Sequence, residues 1–265
     1  MVFENTLDFA KALDEKDPLK PFRNEFIIPQ HKNGDAIYFL GNSLGLQPKR
    51  ATDYIQQVLA QWSNYGVEGF FIGDQPWMKY HQQLLPTLSE IVGALPNEIV
   101  VMNQLTVNLH LMLVSFYQPQ GKRSKILCEA KAFPSDQYSL HTHIKQRELN
   151  PEEVLIEIQP RNNEVLISEE DILDAIEQHK DELALVLFGG VNYYTGQVLD
   201  MEAITKAAHA AGAKAGFDLA HATGNIPLQL HHWGVDFACW CSYKYLNSGP
   251  GAVGGCYIHE KYHHD

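Results

Sequence analysis

The stretch that decides the fold covers residues 183–218 and reads LALVLFGGVNYYTGQVLDMEAITKAAHAAGAKAGFD. Its first six residues are continuously apolar, as expected of a strand that is covered on both faces of a sheet. Asp200 is placed to cap a helix over residues 201–211, and Gly212 is placed to end it. Residues 213–217 read as the next strand. A strand, a helix and a second strand predict a parallel pair with a right-handed crossover.

Strand-like and helix-like segments alternate on both sides of this stretch. Further strands are predicted at residues 98–102, 125–128, 154–158, 235–240 and 254–258. Helices are predicted over residues 49–62, with an apolar stripe, over residues 107–116, with Thr106 as a plausible cap, and from the capping-box pattern at Ser168 through Ile176. The alternation predicts an α/β fold with a mostly parallel central sheet flanked by helices.

Composition and charge exclude several classes of protein. The chain has 265 residues, 45% of them hydrophobic, and a formal charge of −12. These values exclude wholesale disorder, and the net acidity argues against a nucleic-acid binder. We expect no secretory signal and no membrane partner, because no basic-then-apolar start and no apolar run of about 20 residues is present.

Cysteine and histidine usage favours a cytoplasmic protein without a metal site. The four cysteines are not spaced as C-x-x-C and stand among apolar neighbours, which favours buried thiols in a reducing compartment over a disulfide or zinc framework; they are Cys128, Cys239, Cys241 and Cys256. The 13 histidines show no convincing metal-ligand spacing.

Residues with chemical function follow the predicted strands, at the sheet edge where ligands bind in this class of fold. Asp218 ends one strand, and a buried carboxylate is costly without a cationic partner. Lys244 follows another strand in an aromatic setting, where an amine loses hydration. Residues 132–136, with Phe133, follow a third strand, and Thr106 follows a fourth. Pyridoxal phosphate needs such a set: a lysine for a Schiff base, a carboxylate at the pyridine nitrogen, a flat apolar group and phosphate donors.

Each of these residues also has an ordinary structural interpretation. Asp218 alone reads as a helix cap or turn residue, Lys244 as a solvated lysine and Phe133 as a core residue. The functional hypothesis depends on their joint occurrence after strands. The stretch GPGAVG at residues 249–254 matches the dinucleotide fingerprint G-x-G-x-x-G literally, but it precedes a strand instead of opening a helix. We therefore interpret it as a sharp backbone turn beside the lysine loop.

The sequence resembles the kynureninase family, pyridoxal-phosphate enzymes of the aspartate-aminotransferase fold (fold type I). The resemblance runs from about residue 38 to residue 261. The matching strings are FLGNSLGLQPK (39–49), LTVNLH (105–110), EAKAFPSD (129–136), YTGQ (194–197), GFDLAH (216–221) and DFACWCSYKYLN (236–247).

The resemblance implies a role for each matching residue. Lys244 would hold the cofactor as a Schiff base and move protons, and Asp218 would pair with the pyridine nitrogen. The other cofactor contacts, with Phe133 stacked on the ring, would be Leu105, Thr106, Phe133, Pro134, Ser135, Asp136, His221 and Tyr243. Asn42 and Ser43 would lie near the substrate. Gly189, where relatives often carry a cofactor-contacting serine, can offer only backbone and is not a predicted site residue.

The implied reaction is hydrolysis of the Cβ–Cγ bond of L-kynurenine, and of 3-hydroxykynurenine, to anthranilate (or 3-hydroxyanthranilate) and L-alanine. This reaction belongs to tryptophan catabolism and NAD biosynthesis, and the resemblance also implies a homodimer. Two alternatives stay open. One is another fold type I enzyme, either a class V aminotransferase or a cysteine desulfurase. The other is a cofactor-free protein derived from the fold.

The resemblance also implies a domain organisation. Residues 1–50 would form an N-terminal segment, and residues 51–265 a pyridoxal-phosphate-binding large domain that is incomplete at its C-terminal end. The small C-terminal domain, with the residue that clamps the substrate carboxylate, would be missing. We therefore expect this segment alone to be weakly active or inactive. The loop at residues 66–77 matches the family poorly, so its predicted substrate contacts are in doubt.

Overall fold

One central sheet organises the chain in the computed structural model, which describes residues 2–32 and 34–264. In chain order the strands of these residues are β1 (Phe26–Ile27), β2 (Gln30–His31), β3 (Gly34–Asp35), β4 (Gln47–Pro48), β5 (Ile99–Val101), β6 (Lys125–Glu129), β7 (Leu155–Ile158), β8 (Leu183–Gly189), β9 (Lys214–Asp218), β10 (Phe237–Trp240) and β11 (Gly255–Ile258).

Helices flank this sheet and precede it in the chain. The α-helices are α1 (Leu7–Lys16), α2 (Ala51–Tyr65), α3 (Leu85–Val92), α4 (Leu105–Phe116), α5 (Pro134–Gln146), α6 (Pro151–Val154), α7 (Glu169–Gln178), α8 (Met201–Ala210) and α9 (Leu230–Trp233). Short 3-10 helices cover Lys20–Glu25, Gly66–Phe70, Trp77–Leu84, Pro96–Glu98 and Glu260–Tyr262. In the part of the chain that the structure describes, no helix is long and apolar enough to cross a membrane.

The central sheet has seven strands in the order β5-β11-β10-β9-β8-β6-β7. Strands β7, β6, β8, β9 and β10 pair in parallel, whereas β11 is antiparallel to both β10 and β5. The predicted α/β fold with a mostly parallel sheet is therefore confirmed. The strands β1 with β4, and β2 with β3, form two small antiparallel ladders in the N-terminal part. The predicted domain division at residue 50 stays a prediction.

The unit β8–α8–β9 forms as its sequence predicts. The Asp200 carboxylate accepts a hydrogen bond from the Ala203 N–H at 2.9 Å and caps α8. Gly212 has a φ of +75°, in the left-handed region that ends helices, although α8 ends at Ala210, one residue earlier than predicted. The register of β8 with β9 pairs Gly189 with Asp218, so both lie at the same edge of the sheet.

The core lies on both faces of the sheet, which explains the continuous apolar runs. Successive residues of β8 alternate between two clusters: Leu187 packs with residues of α4 and α5, and Phe188 packs with residues of α7 and α8. Each face excludes water, so a polar residue in a central strand cannot point to solvent and is expected only where a strand ends.

Three local predictions need correction. Thr106 does not cap α4: the helix begins at Leu105 after Gln104, and no described side chain provides a cap hydrogen bond. Ser168 precedes α7 as predicted, but its side chain makes no capping bond. The helix predicted over residues 49–62 forms as α2, yet its apolar stripe faces outward, with Trp62 65% exposed, and its one buried residue is Gln61.

Candidate active site

A cavity of about 190 Å³ opens at the carboxyl ends of the parallel strands. It is lined by all the predicted cofactor residues except Pro134, which is the first residue of α5: Leu105, Thr106, Phe133, Ser135, Asp136, Asp218, His221, Tyr243 and Lys244. These residues come from four separate stretches of chain, and the parallel sheet brings them together because its strands end at one edge.

Lys244 is buried in this cavity and is held by a histidine. Its Nζ lies 2.8 Å from His221 Nε2, and only 8% of the residue is exposed. Burial, and then the positive charge of Lys244, lower the pKa of His221 to about 4. The imidazole is therefore neutral at physiological pH, and its unprotonated Nε2 can accept a hydrogen bond from the amine. The Lys244 Nζ also lies 5.7 Å from the centre of the Phe133 ring.

Asp218 is fully buried and faces a second carboxyl group. Its Oδ1 accepts a hydrogen bond from the Ala220 N–H at 2.7 Å. Burial, and then the negative charge of Asp218, raise the pKa of Asp136, and burial also raises the pKa of Asp218. A hydrogen bond between the two carboxyl groups requires that one of them carries a proton. Asp218 was expected to pair with a cation. None of the described side chains fills that role, because the charge of the Lys244 amine has only a small effect on the pKa of Asp218.

Helix α4 points its N-terminus at the other end of the cavity. Gln104 precedes the helix, but its side-chain amide donates to the carbonyl oxygens of Gly251 (3.3 Å) and Ala252 (2.9 Å) and so leaves the helix uncapped. The backbone N–H groups of the first turn, at Leu105 and Thr106, therefore remain available to an anion. Burial also raises the pKa of Tyr243 to about 12, so its hydroxyl is a hydrogen-bond donor at neutral pH.

Several residues that line the cavity are not among the predicted site residues. Glu129, at the end of β6, is only 5% exposed, and burial raises the pKa of its carboxyl group. The signal for it was available, because Glu129 ends a buried strand as Asp218 does. Gln104, Val191, Tyr193 and Ala220 also line the cavity, and they carry no distinctive sequence signal.

Gly189 lines the cavity through its backbone, and its N–H donates to Glu129 Oε1 at 3.1 Å. A Cβ atom built there would lie 2.8 Å from the same oxygen, which is too close unless the Glu129 side chain moves. A side chain at this position would therefore change this contact.

The predicted substrate residues, Asn42 and Ser43, do not line the cavity. They belong to a turn in which the Ser43 N–H donates to the Leu40 carbonyl at 2.9 Å. The next residues approach the lysine loop, since the Gly45 N–H donates to the Tyr243 carbonyl at 2.8 Å. A Cβ atom at Gly45 would lie 2.3 Å from the Lys244 carbonyl oxygen, so only glycine allows this approach. The substrate role of Asn42 and Ser43 stays a prediction.

The chemistry of the cavity residues fits pyridoxal phosphate. An uncapped helix N-terminus suits a phosphate, and a buried carboxyl pair without a cation suits a protonated ring nitrogen. The aromatic ring of Phe133 and the amine of Lys244 line the same cavity, 5.7 Å apart. A flat, charged aromatic aldehyde phosphate would satisfy each group.

Comparisons with known proteins agree with this geometry. The family model described as aminotransferase class-V matches residues 37–265. The kynureninase of Flavobacterium psychrophilum is 59% identical over 265 residues, which are 100% of this chain and 62% of that protein. The kynureninase of Flavobacterium johnsoniae is 56% identical over the same shares of both chains. The chain thus spans about 60% of the length of these relatives.

Solved structures show the same fold at low sequence identity. The complex of the cystine C-S lyase C-DES with cysteine persulfide superposes with a TM-score of 0.69 and 19% identity, covering 83% of this chain and 56% of the lyase. That likeness concerns the fold alone. Since the family model matches most of the sequence, the chain belongs to the aminotransferase class-V family.

Proposed function

We propose that this chain is the cofactor-binding part of a kynureninase, which hydrolyses the Cβ–Cγ bond of L-kynurenine to anthranilate and L-alanine. It would act on 3-hydroxykynurenine in the same way, in tryptophan catabolism or NAD biosynthesis. Relatives named kynureninase, at 49–59% identity over nearly the whole chain, support the proposal. The observation that carries it is the buried Lys244 amine, held 2.8 Å from the neutral His221 inside a cavity that fits the cofactor.

Pyridoxal phosphate, when bound, would supply an aldehyde that an amine can capture and a ring that withdraws electrons from the substrate's α-carbon. Lys244 would capture the cofactor and then move the proton at that carbon. Its neighbour His221 suits this work, because the neutral imidazole lies 2.8 Å from the amine and would orient it through a hydrogen bond.

The carboxyl pair would hold the ring nitrogen. Asp218 is fixed by the Ala220 N–H, so its free oxygen is aimed in a defined direction. A protonated ring nitrogen would give Asp218 the cation that it lacks, and the proton shared with Asp136 would no longer be needed. The first-turn N–H groups of α4 and the Tyr243 hydroxyl would hold the phosphate, and Phe133 would pack against the ring.

The test is an assay for anthranilate fluorescence with the full-length protein, pyridoxal phosphate and L-kynurenine. We expect anthranilate and alanine in equal amounts, and a loss of activity of at least about a thousandfold in Lys244→Ala. The matched control is Lys206→Ala, which removes an exposed lysine of α8. A wild-type protein that yields no anthranilate, or that transfers the amino group to a 2-oxo acid, would contradict the proposal.

A cysteine desulfurase, the main alternative, receives no support from the cysteines. Such an enzyme needs a mobile, reactive thiol. All four cysteines are buried, and burial raises the pKa of each thiol.

The unpaired state of the four cysteines also supports the proposed cytoplasmic location, since a reducing compartment keeps thiols free.

We also propose a homodimer in which a second copy covers α2. The outward stripe of this helix consists of Tyr54, Ile55, Val58, Leu59 and Trp62, all at least partly exposed. Contiguous apolar surface of this kind usually marks an interface. Light scattering of the full-length protein should give twice the chain mass, and Trp62→Glu should halve it. Val165→Glu, at another exposed apolar residue, should not. A monomeric wild type would contradict this proposal.

A further inference from the structure

Glu129 is a buried carboxylate that the proposed reaction does not use. It ends β6 and accepts two hydrogen bonds, one from the last residue of β8 and one from the segment that follows β8. Its Oε1 accepts from the Gly189 N–H at 3.1 Å, and its Oε2 accepts from the Asn192 side-chain amide at 2.7 Å. Both oxygens of Glu129 are therefore engaged in fastening one loop.

Asn192 connects this carboxylate to a tight turn. Its side-chain carbonyl accepts hydrogen bonds from the N–H groups of Tyr194 (3.0 Å) and Thr195 (2.9 Å). The backbone closes the same turn, because the Asn192 N–H donates to the Gln197 carbonyl at 2.8 Å. Both ends of the Asn192 amide are thus occupied, one by Glu129 and one by the turn.

The turn presents Tyr193 to the cavity. The Tyr193 ring meets the Phe133 ring edge to face, with centres 5.2 Å apart and planes at 87°. The same ring lies 6.5 Å from the imidazole of His221, the partner of Lys244. A shift of the turn would therefore change the contacts of Tyr193 with two residues of the proposed cofactor pocket, Phe133 and His221.

We propose that Glu129 is a positioning residue, which acts through Asn192 to hold Tyr193 against Phe133 and so fixes one wall of the cofactor pocket. This inference rests on the proposed function, because it assigns Glu129 a task in the pocket described there. The residue would perform no proton transfer. Its effect on the cofactor would pass through the turn.

The donors and acceptors that each variant offers make the proposal specific. In Glu129→Gln, the new amide can accept from Gly189 with its oxygen, but its nitrogen then faces the Asn192 amide nitrogen, donor against donor. Asn192 cannot rotate its amide without releasing the turn. In Asn192→Asp, two carboxylates face each other. The double variant Glu129→Gln/Asn192→Asp restores the pairing, because the glutamine amide donates to one aspartate oxygen while the other still accepts from the turn.

The first measurement needs no cofactor. Hydrogen exchange of the Tyr194 and Thr195 amides, in the full-length protein without pyridoxal phosphate, should be about tenfold faster in each single variant and close to wild type in the double variant. The matched control is Glu157→Gln, the same substitution at an exposed position of β7, which should leave these amides unchanged.

The second measurement is titration with pyridoxal phosphate, followed by the circular dichroism of its absorption band. Glu129→Gln should weaken binding about tenfold and change the band shape, and the double variant should restore both. Glu129→Gln that matches wild type in both measurements, or a double variant that restores neither, overturns the inference. A wild type that binds no pyridoxal phosphate overturns the proposed function instead, while the exchange rates still test the contact between Glu129 and the turn.

Discussion

Substituting Asp136 by Asn should stabilise the cofactor-free protein, because the Asp136–Asp218 pair is costly without a cation. Asp136 is buried, and burial, followed by the charge of Asp218, raises its pKa from an ordinary 3.8 to about 10. Because this pKa lies above 7, folding at pH 7 must bind a proton that the unfolded chain has released. The cost is then at most about 1.36 × (7 − 3.8), or about 4 kcal/mol. Asn needs no proton and can donate a hydrogen bond to Asp218.

The sign of the pH dependence follows from the raised pKa. The folded protein holds more protons than the unfolded chain between pH 4 and the folded pKa, so wild-type stability falls as pH rises through that window. The Asn variant lacks this contribution. We expect a gain of about 1–3 kcal/mol at pH 7, after allowing for imperfect packing of the amide, and a smaller gain at pH 5.

Urea denaturation of the cofactor-free full-length protein at pH 5, 6, 7 and 8 measures this difference. Glu152→Gln, at an exposed position of α6, serves as a control and should leave the stability unchanged at each pH. An Asp136→Asn variant that is less stable than wild type at pH 8, or whose gain does not grow with pH, would refute the reasoning about the carboxyl pair.

Three further predictions concern the pocket and the core. Phe133→Ala should weaken pyridoxal-phosphate binding about tenfold in an absorbance titration, whereas Tyr138→Ala, on an exposed face of α5, should not. Asp236→Asn should lower the free energy of unfolding by about 3 kcal/mol at pH 7, as measured by urea denaturation. Burial raises the pKa of Asp236, but hydrogen bonds from His209, Lys261 and Tyr262 outweigh it and lower the pKa. This loss of stability should therefore shrink below about pH 4, where Asp236 takes up a proton in the unfolded chain but stays ionised in the folded protein. Gly216→Ala should lower the melting temperature through a loss of about 2 kcal/mol or more, because its Cβ would lie 2.1 Å from the Phe237 ring; an unchanged melting temperature would contradict that packing.

The parts of the fold that depend on neighbours in sequence could be predicted. The unit β8–α8–β9 is an example: its apolar run, the Asp200 cap and Gly212 each act within a few residues. The carboxylate and lysine that follow strands could be found for the same reason, since a parallel sheet gathers strand ends at one edge. Asp218, Lys244, Phe133 and Thr106 thus followed from topology, whereas Leu105, His221 and Tyr243 were predicted from the family resemblance.

The wrong predictions concern features that are set by contacts between residues far apart in the sequence. Gln104 takes the position before α4 while its side chain bonds to Gly251 and Ala252, about 150 residues away, which no local pattern reveals. The apolar stripe of α2 predicted a helix correctly, but periodicity does not say what covers the stripe. Glu129 was not predicted although it ends a buried strand as Asp218 does, because its hydrogen-bond partners, Gly189 and Asn192, lie 60 and 63 residues away in the sequence.

The central claim is that Lys244 holds pyridoxal phosphate in the cavity at the carboxyl ends of the strands. Borohydride reduction of the purified protein loaded with pyridoxal phosphate, followed by peptide mapping, tests it most directly. We predict one pyridoxyl group per chain, on the peptide that contains Lys244, and none on that peptide in Lys244→Ala. A wild-type protein with no pyridoxyl group on Lys244, or with the group on a different lysine, would contradict the claim.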